Sequence, residues 1–168
     1  MDQQLENTFL LALEQNKQKL LRVCSVYAED KEDKKDLFQE VLIHIWQSMP
    51  SFKEKSSLST WMFRVTLNVC LRLQTKQAKK RDHFMKLDSI TIENISDEEA
   101  NEEDHERLIK LRSCIKKLND ADKAVTTLYL EELSYKEISD ITGLTENNVA
   151  VKIKRIKMKL LNCINVAS

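Results

Sequence analysis

The sequence predicts an all-α protein: two small helical domains joined by an acidic, flexible linker, the second domain carrying a helix-turn-helix. Three observations predict it. The 168 residues include one glycine and one proline, too few turn formers for a β-rich fold. Apolar residues recur at helical spacing through most of the chain. The 27 basic and 27 acidic groups cancel but are segregated. Residues 53–87 hold nine basic and two acidic groups, residues 88–106 hold nine acidic and no basic, and residues 147–168 hold five basic and no acidic. The expected limits are therefore 1–87 for the first domain, 88–106 for the linker and 107–168 for the second domain. Two basic segments on one neutral chain suit two contacts with one nucleic acid. Overall neutrality argues against a protein that coats DNA generally.

Composition removes other classes. No apolar run approaches the ~18 residues of a membrane span, and the acidic start MDQQLENTFLLALEQNK lacks a basic leader. The expectation is a cytoplasmic chain without membrane insertion. Cys24, Cys70, Cys114 and Cys163 form no C-x-x-C pair, so each reads as a small buried hydrophobe rather than a zinc or redox site. His44, His83 and His105 are isolated from one another in sequence. There is no glycine-rich phosphate loop, no histidine cluster and no nucleophile with a partnering base. The chain is expected to have no metal, no cofactor and no catalysis, which disfavours an enzyme with an appended DNA-binding module.

Taken in order, Leu5 to Tyr27 is one long amphipathic helix, with Leu5, Phe9, Leu13, Leu20, Cys24 and Tyr27 apolar. Glu29–Asp36 reads as a charged loop, with Asp33 or Asp36 near the start of the next helix, where a negative charge suits the dipole. From Asp36 to Met49, Phe38, Val41, Leu42, Ile45 and Met49 form an apolar arc. The opposite side holds Asp36, Glu40, Ile43 and Gln47, with Gln39 and Trp46 along one edge. An isoleucine within a polar face and a tryptophan beside it suit a protein-binding surface; a solvated face with one stray isoleucine has the same pattern. Pro50 ends the helix. A basic loop, Phe52–Ser57, leads to a helix from Leu58 or Ser59 to about Arg81. Apolar over much of its circumference, that helix should be the centre of its domain. One strip stays polar: Arg64, Asn68, Arg72, Thr75 and Lys79, with Trp61 at its upper end. Aromatics stack on bases and cations hold phosphates, so the strip suits single-stranded DNA, although a solvent strip beside a half-buried tryptophan would look alike.

Beyond the linker, Arg107–Leu118 is a helix with Leu108, Leu111, Ile115 and Leu118 on its inner side. Asp122–Leu133 follows, with Val125, Leu128 and Tyr129 inward. Ser134 and Glu137 then have the capping-box spacing, and Ile138 and Ile141 give the short helix after them an apolar side. Gly143 falls where that helix must stop, and Thr145 offers an N-cap oxygen to a second helix. There Val149, Ile153, Ile156 and Leu160 make one stripe. Asn147, Val151, Lys154 and Met158 lie opposite, flanked by Ala150 and Arg155. Amide and basic side chains on a free helical face fit recognition of a major groove; a core helix with a solvated lysine face shares the periodicity.

Two stretches together carry a family resemblance. The first runs from Asp36-Leu37-Phe38-Gln39-Glu40-Val41 through Trp46, Pro50, Phe52 and Ser57 to Thr60-Trp61-Met62-Phe63-Arg64-Val65 and Asn68. The second runs from Leu118 through Leu133-Ser134-Tyr135-Lys136-Glu137-Ile138 and Gly143-Leu144-Thr145-Glu146 to Val149, Arg155 and Leu160. The chain resembles bacterial RNA polymerase sigma factors of the extracytoplasmic-function group of the sigma-70 family. The resemblance implies that Asp36, Gln39, Glu40, Ile43 and Trp46 grip core RNA polymerase. It implies that Lys53, Lys55, Ser57, Trp61, Arg64, Asn68, Arg72 and Lys79 hold unpaired bases of the minus-ten promoter element. It implies that Thr145, Asn147, Asn148, Val151, Lys152, Lys154 and Arg155 read the minus-thirty-five element as duplex. Core polymerase and promoter DNA are the implied partners, an anti-sigma factor is a further one, and the free chain is expected to be a monomer. Ala150 and Val151 stand where the family often has polar or basic residues, which leaves fewer base-edge hydrogen bonds. The rival reading is a helix-turn-helix regulator that binds duplex DNA without being a polymerase subunit, with residues 1–87 sensing or dimerising.

Overall fold

The computed structural model of the chain describes residues 3–81 and 102–166, the side chains of 75–81 excepted. All regular structure among the described residues is helical, in two compact units, residues 1–89 and 90–168.

The first unit is built from three long helices, α1 (Gln3–Tyr27), α2 (Lys31–Ser48) and α3 (Leu58–Arg81), each packed on the other two. Leu20, Val23 and Cys24 of α1 meet Val41 and Ile45 of α2 and Met62, Phe63, Leu67 and Val69 of α3 in a core closed to solvent. Polar groups enter this core too: Thr66 is fully buried, its Oγ1 donating to the Met62 carbonyl at 2.8 Å, and another side chain enters where α1 meets α3. Asn16 is buried, and its Nδ2 donates to the Ala12 carbonyl at 2.8 Å and to Ser59 Oγ at 3.1 Å.

The second helix starts earlier than the sequence suggested. Asp30 is its N-cap, accepting from the Asp33 amide at 2.8 Å, while Asp33 Oδ2 accepts from the Glu29 amide at 2.9 Å. The two aspartates satisfy end-group donors reciprocally, as a capping box does, so most of the expected charged loop is helix. Pro50 closes α2 into a single 3-10 turn, Met49–Ser51. The loop beyond it holds Glu54 in the left-handed region at φ 56°, a conformation that costs a residue with a Cβ. Ser57 then caps α3, its Oγ accepting from the Thr60 amide at 3.1 Å.

The second unit contains α4 (Glu102–Lys116), α5 (Asp120–Leu130), α6 (Tyr135–Thr142) and α7 (Glu146–Val166), with α7 packed against the other three. Residues 88–101 of the expected acidic linker lie outside the described residues, as do residues 82–87 before it, but residues 102–106 are already helical. Glu102, Glu103 and Asp104 occupy the first turn of α4, where carboxylates favour the helix dipole, and Glu103 pairs with Arg107 at 3.2 Å. Leu108, expected inward, is exposed together with Ile109; the buried face of α4 is set by Cys114 and Ile115.

The helix-turn-helix forms through the signals read from the sequence. Ser134 Oγ accepts from the Glu137 amide at 3.1 Å and Glu137 Oε1 accepts from the Ser134 amide at 3.0 Å. Gly143 ends α6 at φ 81°, and Thr145 Oγ1 accepts from the Asn148 amide at 3.1 Å to start α7. Val149, Ile153 and Ile156 are buried.

The cysteines correct the sequence reading. Cys24 and Cys70 are buried free thiols, but Cys114 and Cys163 form a disulfide between α4 and the end of α7, with Cα atoms 6.0 Å apart. It closes a sequence separation of 49 residues, a constraint worth about 4 kcal/mol in the chain-entropy picture. Neither partner has a local motif, so only the packing of α4 on α7 reveals the pair.

At Gly143 an added Cβ would meet nothing within 4 Å, so substitution costs backbone conformation alone. Gly143→Ala is expected to lower the stability of the second unit by roughly 1–2 kcal/mol, and Gly143→Asn by less, measured by denaturant unfolding.

Candidate nucleic-acid interface

The tryptophan at the upper end of the α3 strip packs on Phe52, which lines an open pocket. Trp61 is half-buried, its ring centroid 5.2 Å from that of Phe52 at an interplanar angle of 48°. Phe52 lines a pocket of about 590 Å3 together with Met49, Pro50, Glu54, Ser56 and Leu58. Lys53 and Lys55 are exposed on the same loop. Apolar and aromatic walls, small hydroxyl groups and nearby ammonium groups form a site able to take a planar base while holding its phosphate.

Not every residue of the expected strip stands open to solvent. Asn68 is exposed and Arg64 half-buried. Ser57 uses its hydroxyl within the fold, donating to Thr60 Oγ1 at 2.9 Å. Arg72 is exposed, but its Nη2 donates to His44 Nε2 at 2.9 Å. His44, expected to be isolated, thus joins α2 to α3. A guanidinium only donates, so Nε2 is the accepting nitrogen in this arrangement. Lys79 belongs to the last turns of α3, where side chains lie outside the described residues.

On α2, Asp36, Gln39, Glu40 and Gln47 are exposed and Ile43 keeps 47% of its surface accessible. Trp46 is half-buried and stands edge-on to Phe9 of α1, with centroids 5.1 Å apart. The result is a polar face with an apolar centre and an aromatic margin tied to its own domain.

On α7, Asn147, Asn148, Lys154 and Arg155 are exposed, and Val151 is 43% exposed. These side chains form the face opposite the buried stripe. Thr145 acts through its cap. Lys152, expected on the recognition face, instead turns inward, its Nζ donating to Asp122 Oδ1 at 2.9 Å; Lys159 Nζ donates to Oδ2 at 3.2 Å. Burial raises the Asp122 pKa, but the hydrogen bonds from Lys152 and Lys159 outweigh it and hold the carboxyl below its usual value. Lys157 lies 4.9 Å from the centre of the Tyr129 ring, and hydrogen bonding to Tyr129 raises its pKa. Three lysines of α7 thus engage α5, leaving Lys154 and Arg155 as the exposed cations of the expected set. Composition alone could not separate Lys152 from Lys154; the four-residue spacing of Lys152 from Ile156, on the buried stripe, was the available hint.

With this geometry in place, the comparisons define the class of protein. The family models of Sigma-70 region 2 and of Sigma-70, region 4 match residues 12–80 and 108–160. The chain belongs to the sigma-70 family, whose members direct RNA polymerase to promoters. Within it, the chain is a sigma factor of the extracytoplasmic-function group. It is similar to the RNA polymerase sigma factor SigV of Bacillus subtilis, 26% identical over 141 residues, covering 83% of this chain and 81% of that one. It is also similar to the ECF sigma factor SigX of the same organism, 23% identical over 168 residues, covering 94% and 87%. The ECF sigma-E factor of Escherichia coli is 26% identical over 140 residues, covering 77% and 73%. Among solved structures, CnrH in complex with the cytosolic domain of CnrY superposes with a TM-score of 0.72 at 18% identity, covering 97% of this chain and 91% of that one. RpoE of Bartonella quintana, in complex with the anti-sigma factor NepR, gives 0.70 at 17%, covering 99% and 100%. The region 2 match over residues 12–80 favours the sigma factor over the rival regulator reading of residues 1–87.

Two outcomes follow for the second unit. Lys152→Ala is expected to cost it about 1 kcal/mol of stability without changing the salt dependence of duplex binding. Lys154→Ala should keep stability and reduce the slope of log affinity against log salt by about 1. The lowered Asp122 pKa contributes stability above the usual carboxylate range, lost as pH falls through and below about 4. Asp122→Asn should therefore be less stable at neutral pH and lose less on acidification, read from unfolding midpoints across pH 3–7.

Proposed function

We propose that the exposed face of α2 docks on core RNA polymerase, that the pocket beside α3 captures unpaired minus-ten bases, and that α7 reads the minus-thirty-five element as duplex. The observation carrying this division is that one chain presents two unlike nucleic-acid surfaces. One is an aromatic pocket beside a basic loop, suited to a base already out of the stack. The other is an amide and basic helical face, suited to a groove. A factor with both contacts positions polymerase on duplex DNA and stabilises the opened strand.

The division assigns residues 1–87 to polymerase binding and the minus-ten element and residues 107–168 to the minus-thirty-five element, with 88–106 as the connection. On α2, Asp36, Gln39, Glu40 and Ile43 are the contact residues and Trp46 is a margin held by Phe9. Behind Phe52 of the pocket wall, Trp61 offers a further stacking surface, Asn68 on α3 a polar edge, and Lys53 and Lys55 of the loop the phosphate contacts. On α7, Asn147 and Asn148 supply amide groups for base edges, Val151 meets a thymine methyl, and Lys154 and Arg155 take phosphate or guanine. The protein works without catalysis of its own, as a monomer when free, in the cytoplasm where polymerase and chromosome are. No helix among the described residues is long and apolar enough to cross a membrane. The solved complex of similar fold with the anti-sigma factor NepR supports a partner of that class here.

The two surfaces are tested separately. Trp61→Ala is expected to spare polymerase binding and to weaken promoter opening, a stacked base being worth about 1–3 kcal/mol; opening at the normal rate would remove the stacking role. Glu40→Lys is expected to weaken polymerase binding and to leave duplex binding by the second unit intact. Unchanged polymerase affinity would exclude the α2 face.

A further inference from the structure

We propose that Cys114 and Cys163 form a reversible thiol switch, through which a low-molecular-weight disulfide controls the folded population of the helix-turn-helix unit. Cys114 lies in the last turns of α4 and is 3% exposed; Cys163 lies in the last turn of α7 and is half-buried. The bond between them encloses α5, α6, the Gly143 turn and nearly all of α7 in a sequence separation of 49 residues. Its redox state therefore acts on the whole recognition unit rather than on one contact. That unit lies within residues 90–168, a size at which one apolar core gives little stability and a covalent staple has large leverage.

The compartment makes the bond conditional. A chain that works with polymerase, as proposed above, meets reduced thiol pools, in which protein disulfides are transient or sensing; the inference rests on that reading for this point alone. The first unit provides the contrast. Cys24 and Cys70 are fully buried and unbonded, and hydrogen bonding to the Cys24 thiol, with burial, raises the Cys70 pKa well above its usual value. A neutral thiol closed to solvent is not reached by a dissolved disulfide. Cys163, partly open, is the sulfur a small reagent reaches.

The chemistry balances as two exchanges. The Cys163 thiolate attacks one sulfur of oxidised glutathione, breaking its S–S bond, forming a mixed disulfide and releasing one glutathione thiolate. The Cys114 thiol, losing its proton, attacks the Cys163 sulfur and displaces the second glutathione thiolate. The protein's two thiols lose two electrons and two protons, and glutathione gains the electrons. Reduction reverses both steps.

The test uses the full chain equilibrated in glutathione buffers from fully reduced to fully oxidised, with a maleimide reagent counting accessible thiols. Both tryptophans, Trp46 and Trp61, lie in the first unit, so tryptophan fluorescence follows that unit while far-ultraviolet circular dichroism follows both. The expected result is loss of two reactive thiols on oxidation, both regained on reduction. The helical melt of the second unit should fall on reduction by on the order of 15 °C or more, with the tryptophan melt unmoved. Cys163→Ala should behave as the reduced protein in every buffer; should that variant fold poorly, reduced wild-type protein reports the same open state. Coincident melts of oxidised and reduced protein would overturn the proposal. So would a failure to form the bond in excess oxidised glutathione, or a bond that native protein keeps in millimolar dithiothreitol. None of these readouts involves polymerase, so they separate this proposal from the sigma reading.

Discussion

The way α7 is seated governs the second unit. A recognition helix must bury one face firmly enough to hold its opposite face at a fixed rotation. Val149, Ile153 and Ile156 supply the adhesion; each fully buried aliphatic side chain is worth about 1.5–3 kcal/mol. That term is large but has no direction. Direction comes from the polar links: Asp122 receives both Lys152 and Lys159, seven residues apart on α7, and Lys157 meets Tyr129. With α5 holding these cations, Asn147, Val151, Lys154 and Arg155 are left on the outer face. On the face proposed to read DNA, the geometry therefore leaves fewer cations than the composition suggested, and makes Val151 a larger share of that face.

The first unit uses a different arrangement. Here α3 packs on both α1 and α2, while Asn68 and Arg72 keep their side chains exposed. At the end beside the Phe52–Ser57 loop, Trp61 leans on Phe52. The loop carries Glu54 in a left-handed conformation and is fastened at one end by the Ser57 cap and at the other by Pro50. A pocket whose wall is held at both ends suits capture of an unpaired base, because less ordering is left for the binding step. The outer face of α2, with Ile43 exposed among carboxylates and amides, belongs to the same compact unit. A factor that hands DNA to a large enzyme needs its two contacts fixed relative to each other, and the two proposed contacts share one small core.

How much of this was legible in the sequence depended on range. The helix-turn-helix was readable because its signals are local: Ser134 with Glu137, then Gly143, then Thr145, all within a dozen residues. The long helices were readable from periodicity. The start of α2 was not, because Asp30 and Asp33 cap within a run of alternating charges that resembles a loop. On α4 the helical phase was readable, since Ile115 of the expected side is buried, but Leu108, seven residues earlier on the same side, is exposed, because burial in α4 is confined to its C-terminal half around Cys114 and Ile115. The long-range pairings were invisible: Asp122 with Lys152 and Lys159, Arg72 with His44, and Cys114 with Cys163 join residues 28 to 49 positions apart. No periodicity or motif encodes such pairs, and they decide which of several similar cations is exposed. The division of the interface residues between polymerase and DNA came from the family pattern and the amphipathic faces together, not from either alone.

The most direct measurement of the central claim is made with purified chain and sigma-free bacterial core polymerase. The mixture is run on a sizing column and the complex is tested for run-off transcription from genomic promoters. A sigma factor of this build must co-migrate with the core enzyme and give transcripts that the core alone does not. A chain that elutes free, as a dimer, and leaves the core without promoter-dependent transcription would contradict the polymerase-directing role.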